Sequence, residues 1–310
     1  MGSTYTVKIA GPRLGATAEA AARQAVERAF ADVVGRMSAY VDDSELSRFN
    51  RHPTQAPFAL SADAFAVFRL AQQVSAETKG AFDITVAPVV DAWGFGPGRA
   101  HRVVPDAELA GLRPRVGWRG LILDAQLESA RKAAPDLAVD LSGIAKGYAV
   151  DLAAHALDAQ GCADYMVEAG GEIRAKGCNA AGTPWRIGIE RPDAVPQQAL
   201  RIVPLTGLAM ATSGDYRIYF ERDGVRYCHE IDPASGQPIR HGLASVTVVA
   251  PTCGEADAWA TALIVRGPVD GLALARARGL AAYFIVRDGR GGFRELSTPA
   301  FAALGGERVA

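Results

Sequence analysis

Strand-like and helix-like hydrophobic patterns alternate along the chain. Residues 5–9 alternate apolar and polar side chains, which is typical of a half-buried strand. The Ala-rich segment that follows, from Thr17 to about Met37, places its larger apolar side chains on one face and predicts a helix with Thr17 as its N-cap. Because both patterns recur to the end of the chain, the sequence predicts an α+β fold.

The remaining predicted elements follow from the same periodicities and from turn residues. Helices are predicted over 61–80 (opened by Ser61, ended by Gly80), 144–160, 255–265 and 269–278. Strands are predicted over 165–168, 185–190, 200–204, 245–250, 281–286 and 292–296, with a hairpin over 216–229 around Asp223-Gly224. The Gly/Pro-rich residues 92–105 predict a long ordered loop. Since no repeat or low-complexity linker interrupts the chain, residues 1–310 are expected to form a single compact unit with two lobes.

Composition narrows the class of function. The chain is 49% hydrophobic and 22% charged with a net charge of −1, so it predicts a globular protein without the basic surface that nucleic acids require. The four cysteines form no C-x-x-C pair and are expected to be reduced and structural. Neither a signal peptide nor an apolar run of roughly 20 residues is visible, so no membrane span is predicted. As given, the chain is expected to be cytoplasmic; removal of an export signal would leave it periplasmic or membrane-anchored.

The first candidate site is the segment from Val139 to Tyr148. A strand is expected to end at Asp140, small residues follow, and a helix begins, so free N–H groups and the Lys146 charge would suit phosphate oxygens. Gly143 and Gly147 would let the backbone approach a ligand closely. An ordinary strand-to-helix turn with Asp140 as a cap explains the same residues, and both interpretations stay open.

A second candidate is the pair Asp257 and Thr261. Four residues apart on a predicted helix, their oxygens project from one face and could form half of a shell around a hard cation such as Mg²⁺. The alternative is that Asp257 only interacts with the dipole of its own helix while Thr261 packs inward.

Two further segments contain candidate chemistry. His229 is expected at a strand end before the turn signal Asp232-Pro233, where it could act as acid or base, although a lone histidine is often structural. Aromatic residues beside glycines in GAFDITVAP and WGFG could frame a planar ring, or Trp93 could simply anchor a buried loop.

Taken together and in order, these segments resemble the FAD:protein FMN transferase family, also called the ApbE-like family. The resemblance extends from the first residues to about Gly267. The matching segments are MGSTYTV, MSAYVDDSELSRFN, GAFDITVAPVVDAWGFGP, VDLSGIAKGYAVD, VEAGGEIRAKG, WRIGIERP, ATSGDYR, HEIDPASGQP and ADAWATAL. It implies an α+β fold with an FAD cleft between lobes.

Position by position, the resemblance also implies site residues. The implied FAD-binding residues are Met1, Tyr40, Ala81, Phe82, Asp83, Asp140, Lys146 and Ile231. The implied Mg²⁺ ligands are Gly143 through its carbonyl, Asp257, Ala260 and Thr261. Some relatives have a second Asp where this chain has Ala260, so the side-chain ligands reduce to Asp257 and Thr261.

The implied reaction is Mg²⁺-dependent transfer of FMN from FAD to a Thr or Ser hydroxyl of an acceptor flavin-carrier protein, with release of AMP. Lys146 would neutralise pyrophosphate charge, and His229 or Asp257 would accept the proton of the attacking hydroxyl. Two alternatives remain: an FAD pyrophosphatase that gives free FMN and AMP, and a non-catalytic FAD-binding or storage protein.

Overall fold

The fold is described here for residues 4–11, 14–53 and 55–309 of a computed structural model. The predicted FAD-site residue Met1 lies outside these residues. Eight α-helices form within them: α1 (Ala16–Met37), α2 (Glu45–Arg51), α3 (Ala62–Thr78), α4 (Ala87–Trp93), α5 (Asp106–Leu112), α6 (Ala145–Ala159), α7 (Cys253–Ala277) and α8 (Pro299–Ala302). None of the helices in the described part is long and apolar enough to cross a membrane.

The strands of the same residues are mostly short. They are β1 (Tyr5–Ile9), β2 (Phe58–Ala59), β3 (Leu121–Asp124), β4 (Ser129–Lys132), β5 (Tyr165–Ala169), β6 (Glu172–Lys176), β7 (Trp185–Glu190), β8 (Ala199–Leu205), β9 (Leu208–Gly214), β10 (Tyr219–Arg222), β11 (Val225–Cys228), β12 (Ile231–Asp232), β13 (Gln237–Pro238), β14 (Leu243–Ala250), β15 (Ala281–Arg287), β16 (Phe293–Ser297) and β17 (Glu307–Arg308). The α+β prediction is therefore confirmed.

The chain divides into two compact units. The first comprises Met1–Asp32, Lys146–Tyr216 and Gly242–Ala310, and it contains a seven-stranded antiparallel sheet in the order β1-β5-β6-β9-β14-β15-β16. Helix α7 packs on the central strands β9 and β14, and every residue of β14 is buried. A three-stranded sheet, β17-β8-β7, packs against the large sheet. The apolar core that the two sheets share includes Trp185, Val203 and Ile285.

The second unit comprises Val33–Ala145 and Arg217–His241. Its sheets are small: β2-β4-β3, the hairpin β10-β11 and the pair β12-β13. One of its apolar cores surrounds the fully buried Trp93, whose indole N–H donates to the carbonyl of Gly236 at 2.8 Å. Trp93 is thus the anchor of a buried loop, one of the two interpretations that its sequence allowed.

Several predicted elements have the expected bounds, and others need correction. Strands β1 and β7 match their predictions, and Ser61 caps α3. Helix α1 begins at Ala16, because the Glu19 N–H bonds the Gly15 carbonyl, so Thr17 is not the cap. The helices predicted over 255–265 and 269–278 are both present within α7, and they meet at a kink where Gly267 leaves helical geometry before Pro268.

The strand expected to end at Asp140 is not present. Residues 137–141 pair with no neighbouring strand. Instead, the Asn50 side chain bonds both backbone groups of Val139, accepting from its N–H and donating to its carbonyl at 2.8 Å each. One side-chain amide thereby takes the place of a strand partner.

Candidate active site

Helices α6 and α7 approach each other closely at Gly147. A Cβ atom at this position would lie 2.3 Å from the Cys253 carbonyl oxygen, so only glycine fits. The Gly147 N–H donates to Asp257 Oδ2 at 3.0 Å. Asp257 therefore bridges to the first turn of α6, a contact beyond any interaction with the dipole of its own helix.

Lys146 lies between two buried carboxylates. Its Nζ is 3.1 Å from Glu172 Oε1 and 3.5 Å from Asp257 Oδ1. Glu172 is 2% exposed and Asp257 is 3% exposed, whereas the Lys146 side chain retains 32% of its accessible surface. The two carboxylates of the cluster therefore lie in its buried part, and the Lys146 ammonium group lies on the side that faces solvent.

Glu172 was not among the predicted site residues. It begins β6 directly after Gly170 and Gly171, which both adopt positive φ and form a tight turn from β5. Burial raises the pKa of its carboxyl to about 7; the Lys146 charge opposes this shift and the Asp257 charge reinforces it. Its Oε2 has no hydrogen-bond partner within the described residues. A carboxylate at a strand start after paired glycines was the signal available in the sequence.

Thr261 follows Asp257 by one helical turn on α7. Its hydroxyl lies 3.2 Å from the Ser213 hydroxyl, and the residue is partly exposed. Ala260 between them is fully buried and offers no polar side chain. The predicted pair thus presents a carboxylate and a hydroxyl on one helix, beside Lys146.

The N-terminus of α7 is fixed by α6. Asp151 accepts hydrogen bonds from the backbone N–H groups of Cys253 and Gly254, both at 2.9 Å. The same carboxylate pairs with Arg174 on β6 at 2.5 Å. Asp151, which sequence reasoning missed, therefore holds together the three elements that position Lys146, Asp257 and Glu172.

In the second unit, Asp83 organises a buried turn. Its carboxylate accepts from the Thr85 N–H and hydroxyl and from the Trp118 N–H, at 2.7–2.8 Å. Burial raises the pKa of Asp83, and these hydrogen bonds oppose the shift. Ala81 and Phe82 precede it and are also buried.

Asp140 lies next to the same turn. Its N–H donates to the Ile84 carbonyl at 2.7 Å, and its carboxylate accepts from the N–H and hydroxyl of Ser142. It therefore closes a local turn rather than capping α6. Nearby, Tyr40 is 72% exposed, and its pKa is raised by partial burial and by the charges of Asp140 and Asp91. Gly143 lies in the turn before α6 and is half-buried.

His229 directly follows the hairpin strand β11. Its Nδ1 lies 3.2 Å from the Ile218 carbonyl oxygen, and its Nε2 lies 3.7 Å from Glu230 Oε1. Because a carbonyl only accepts hydrogen bonds, this geometry favours the proton on Nδ1 and a lone pair on Nε2. The Phe95 ring contacts the imidazole edge-on, and Ile231 is buried two residues further on.

The oxygen atoms of Asp257 and Thr261 in the first unit fit a hard cation whose remaining ligands come from water or a bound phosphate. The described residues contain no group of three or more His, Cys, Asp or Glu that could hold a metal. The side chains of Asp257 and Thr261 offer only oxygen atoms as ligands. Nearby, the buried Glu172 Oε2 has no hydrogen-bond donor among the described residues, so the cluster can accept a further positive charge. Mg²⁺ commonly binds through one or two carboxylates, with phosphates and water completing its shell.

The cysteines contribute no disulfide. All four are free; Cys162, Cys228 and Cys253 are buried, and Cys178 is partly so. Burial raises the pKa of the Cys253 thiol well above its usual value, which suits a structural rather than a reactive role.

Comparison with known proteins identifies the family of this chain. The model of the ApbE family matches residues 1–284. FAD:protein FMN transferases from Vibrio cholerae and Haemophilus influenzae are 44% and 45% identical to this chain, over 97% and 98% of its length and 89% of theirs. The apo crystal structure of the flavinyl transferase ApbE from Pseudomonas stutzeri superposes with a TM-score of 0.88 at 43% identity, covering 98% of this chain and 94% of the other. The chain therefore belongs to the ApbE family, as the resemblance of its motifs predicted.

Proposed function

We propose that this protein transfers the FMN part of FAD to a Thr or Ser hydroxyl of an acceptor flavin-carrier protein and releases AMP. The relatives named above are FAD:protein FMN transferases over nearly the full chain. The observation that carries the proposal is the contact of Lys146 with Asp257, one helical turn from Thr261. A protein that only stored FAD would not need a lysine ammonium group beside oxygen atoms that can bind a metal ion.

Lys146 is the group suited to the charge of the pyrophosphate. As the acceptor oxygen bonds to the FMN phosphorus, the bond from that phosphorus to the bridging oxygen breaks, and the electron pair leaves with AMP. Negative charge grows on the phosphate oxygens during this step, and an ammonium held in place stabilises it without reorganisation. The two carboxylates of Glu172 and Asp257 keep the ammonium in position.

Asp257 and Thr261 are the side chains that would hold Mg²⁺, with the backbone carbonyl of Gly143 and the backbone of Ala260 as further predicted contacts. The chemistry that the ion supplies when bound is polarisation of the phosphate oxygens. Asp257 Oδ2 is already engaged by the Gly147 N–H. That bond fixes the carboxylate orientation, and Oδ1 remains for a cation.

We assign the proton acceptor to His229 in preference to Asp257. With the proton on Nδ1 directed at the Ile218 carbonyl, Nε2 can accept the proton of the attacking hydroxyl. The Glu230 carboxylate, 3.7 Å from Nε2, would then stabilise the imidazolium. Both carboxylate oxygens of Asp257 are already engaged, Oδ2 by the Gly147 N–H and Oδ1 by Lys146.

The residues that would line the FAD site are Tyr40, Ala81, Phe82, Asp83, Asp140 and Ile231. Met1 remains a prediction outside the described residues. The Asp83 carboxylate already bonds the turn at Thr85 and Trp118, so its expected contribution is to fix the backbone there.

The test is incubation with FAD, Mg²⁺ and a carrier domain that contains an acceptor Thr, followed by in-gel flavin fluorescence after denaturation. A covalently fluorescent carrier band is expected from the wild type and not from Asp257→Ala. His229→Ala should slow labelling by about 10²–10⁴-fold, the usual contribution of a general base. The exposed His155 on α6 gives the matched control, since His155→Ala should label at the wild-type rate.

Other products would change the conclusion. Free FMN and AMP without a labelled carrier would show that water is the acceptor. Intact FAD would contradict catalysis altogether. Undiminished labelling by His229→Ala would remove that residue from the role of base while leaving the transfer reaction intact.

A further inference from the structure

The Lys146 cluster has an unbalanced charge. Two buried carboxylates, Glu172 and Asp257, contact one ammonium group, so the ionised cluster has a net charge of −1. Arg174, two residues after Glu172 on β6, cannot offset this charge because Asp151 already pairs with it at 2.5 Å. In addition, Glu172 Oε2 lacks a hydrogen-bond partner within the described part of the chain.

We propose that Glu172 is a positioning residue that holds the Lys146 ammonium beside the metal site, so that Lys146 does not compete with the cation for Asp257. The inference rests on the proposed function, because it assumes that Asp257 binds Mg²⁺.

Asp257 has to serve two partners with one free oxygen. Its Oδ2 receives the Gly147 N–H, so Oδ1 is the oxygen that Lys146 and a cation would share. A divalent ion and an ammonium group that both contact one carboxylate oxygen repel each other strongly. A flexible lysine stem would move away from the ion unless a second anion held it.

Glu172 is placed to be that second anion. Its Oε1 is nearer to Lys146 Nζ than Asp257 Oδ1 is, at 3.1 Å against 3.5 Å. Its backbone is fixed, because β6 pairs with β5 and the Gly170-Gly171 turn sets the start of the strand. Lys146 can therefore stay near the phosphate position while Asp257 binds the ion.

The experiment is a Mn²⁺ titration followed by electron paramagnetic resonance of the free ion at pH 8, with and without FAD. Glu172→Gln should weaken Mn²⁺ binding about tenfold, because the uncompensated Lys146 charge then opposes the ion. Lys146→Met should bind Mn²⁺ at least as tightly as the wild type. The double variant should return to within about threefold of the wild type, since neither charge remains to oppose or balance the other.

The control is Glu168→Gln on the neighbouring strand, where the carboxylate accepts the Gly171 N–H and does not contact Lys146. It should leave Mn²⁺ affinity unchanged. Wild-type affinity in Glu172→Gln would overturn the inference. A double variant as weak as Glu172→Gln would also overturn it, because Glu172 would then act on the ion directly. No binding by the wild type under either condition would overturn the metal site of the proposed function as well.

Discussion

The Gly147 N–H donates to the Asp257 carboxylate at 3.0 Å, and this bond joins helix α6, which contains Lys146 in its first turn, to helix α7, which contains Thr261. At the same point, the Gly147 Cα faces the Cys253 carbonyl so closely that a Cβ would lie 2.3 Å from it. The absence of a side chain at residue 147 thus determines how near Lys146 lies to Asp257.

Gly147→Ala should therefore destabilise the protein and separate the two charged groups. The obstructing atom belongs to the α7 backbone, which cannot rotate away, so a loss of about 2–4 kcal/mol in the free energy of unfolding is expected. Chemical denaturation measures it. Gly35→Ala is the matched control, because Gly35 lies on an exposed face of α1 with open space at the Cβ position and should gain about 0.5–1 kcal/mol. Equal effects at the two sites would contradict the close-packing argument.

Asp151→Ala should be among the most damaging changes in the first unit. It would leave Arg174 without its carboxylate and two N–H groups of the α7 N-terminus without their acceptor, at a cost of about 3–5 kcal/mol. For comparison, Glu307→Gln breaks the Arg186 pair, whose side chains are each 61% exposed, and should cost less than about 1 kcal/mol. Similar denaturation midpoints for the two variants would show that Asp151 is not a structural centre.

Local patterns in the sequence were sufficient to predict an element where its buried and exposed positions alternate regularly. Strands β1 and β7 alternate, and their bounds were predicted correctly. Asp257 and Thr261 were found because helical spacing alone places them together. Strand β9 was missed because its residues, LAMATSG, are mostly small; they fit under α7, a partner that the strand's own sequence cannot reveal.

The contacts of Glu172 and Asn50 were unpredictable for a related reason. Each residue acts on a partner far along the chain: Glu172 on Lys146, and Asn50 on Val139. Neither pair shares an element, so no periodicity connects them. Such groups come together only through tertiary packing within one folded unit. The strand wrongly expected before Asp140 has the same cause, because the Asn50 partner of Val139 is distant in sequence.

Asn50→Ala tests the side chain that substitutes for a strand partner. Val139 is fully buried, and both of its backbone groups would lose their bonds, at about 1–3 kcal/mol each. Since Asp140, a proposed FAD-lining residue, follows directly, the KM for FAD should also rise more than kcat falls. Asn179→Ala is the control, because Asn179 bonds only its own exposed turn and should cost less than about 1 kcal/mol. Unchanged KM in a folded Asn50→Ala protein would show that Asn50 does not support the proposed FAD site.

The buried Glu172 should make the metal-free protein lose stability as the pH rises. Its pKa is raised to about 7 in the folded state by burial, so the folded protein binds the proton more tightly than the unfolded chain does. The stabilisation is complete below the ordinary glutamate pKa and is lost as the pH rises through about 7. It amounts to about 3 kcal/mol at most.

The difference in unfolding free energy between wild type and Glu172→Gln, measured from pH 5 to 8, isolates this contribution, because glutamine does not titrate. The wild type should lose stability relative to the variant over that range. A constant difference would mean that Glu172 stays ionised throughout, with a stronger interaction with Lys146 than the 3.1 Å contact suggests.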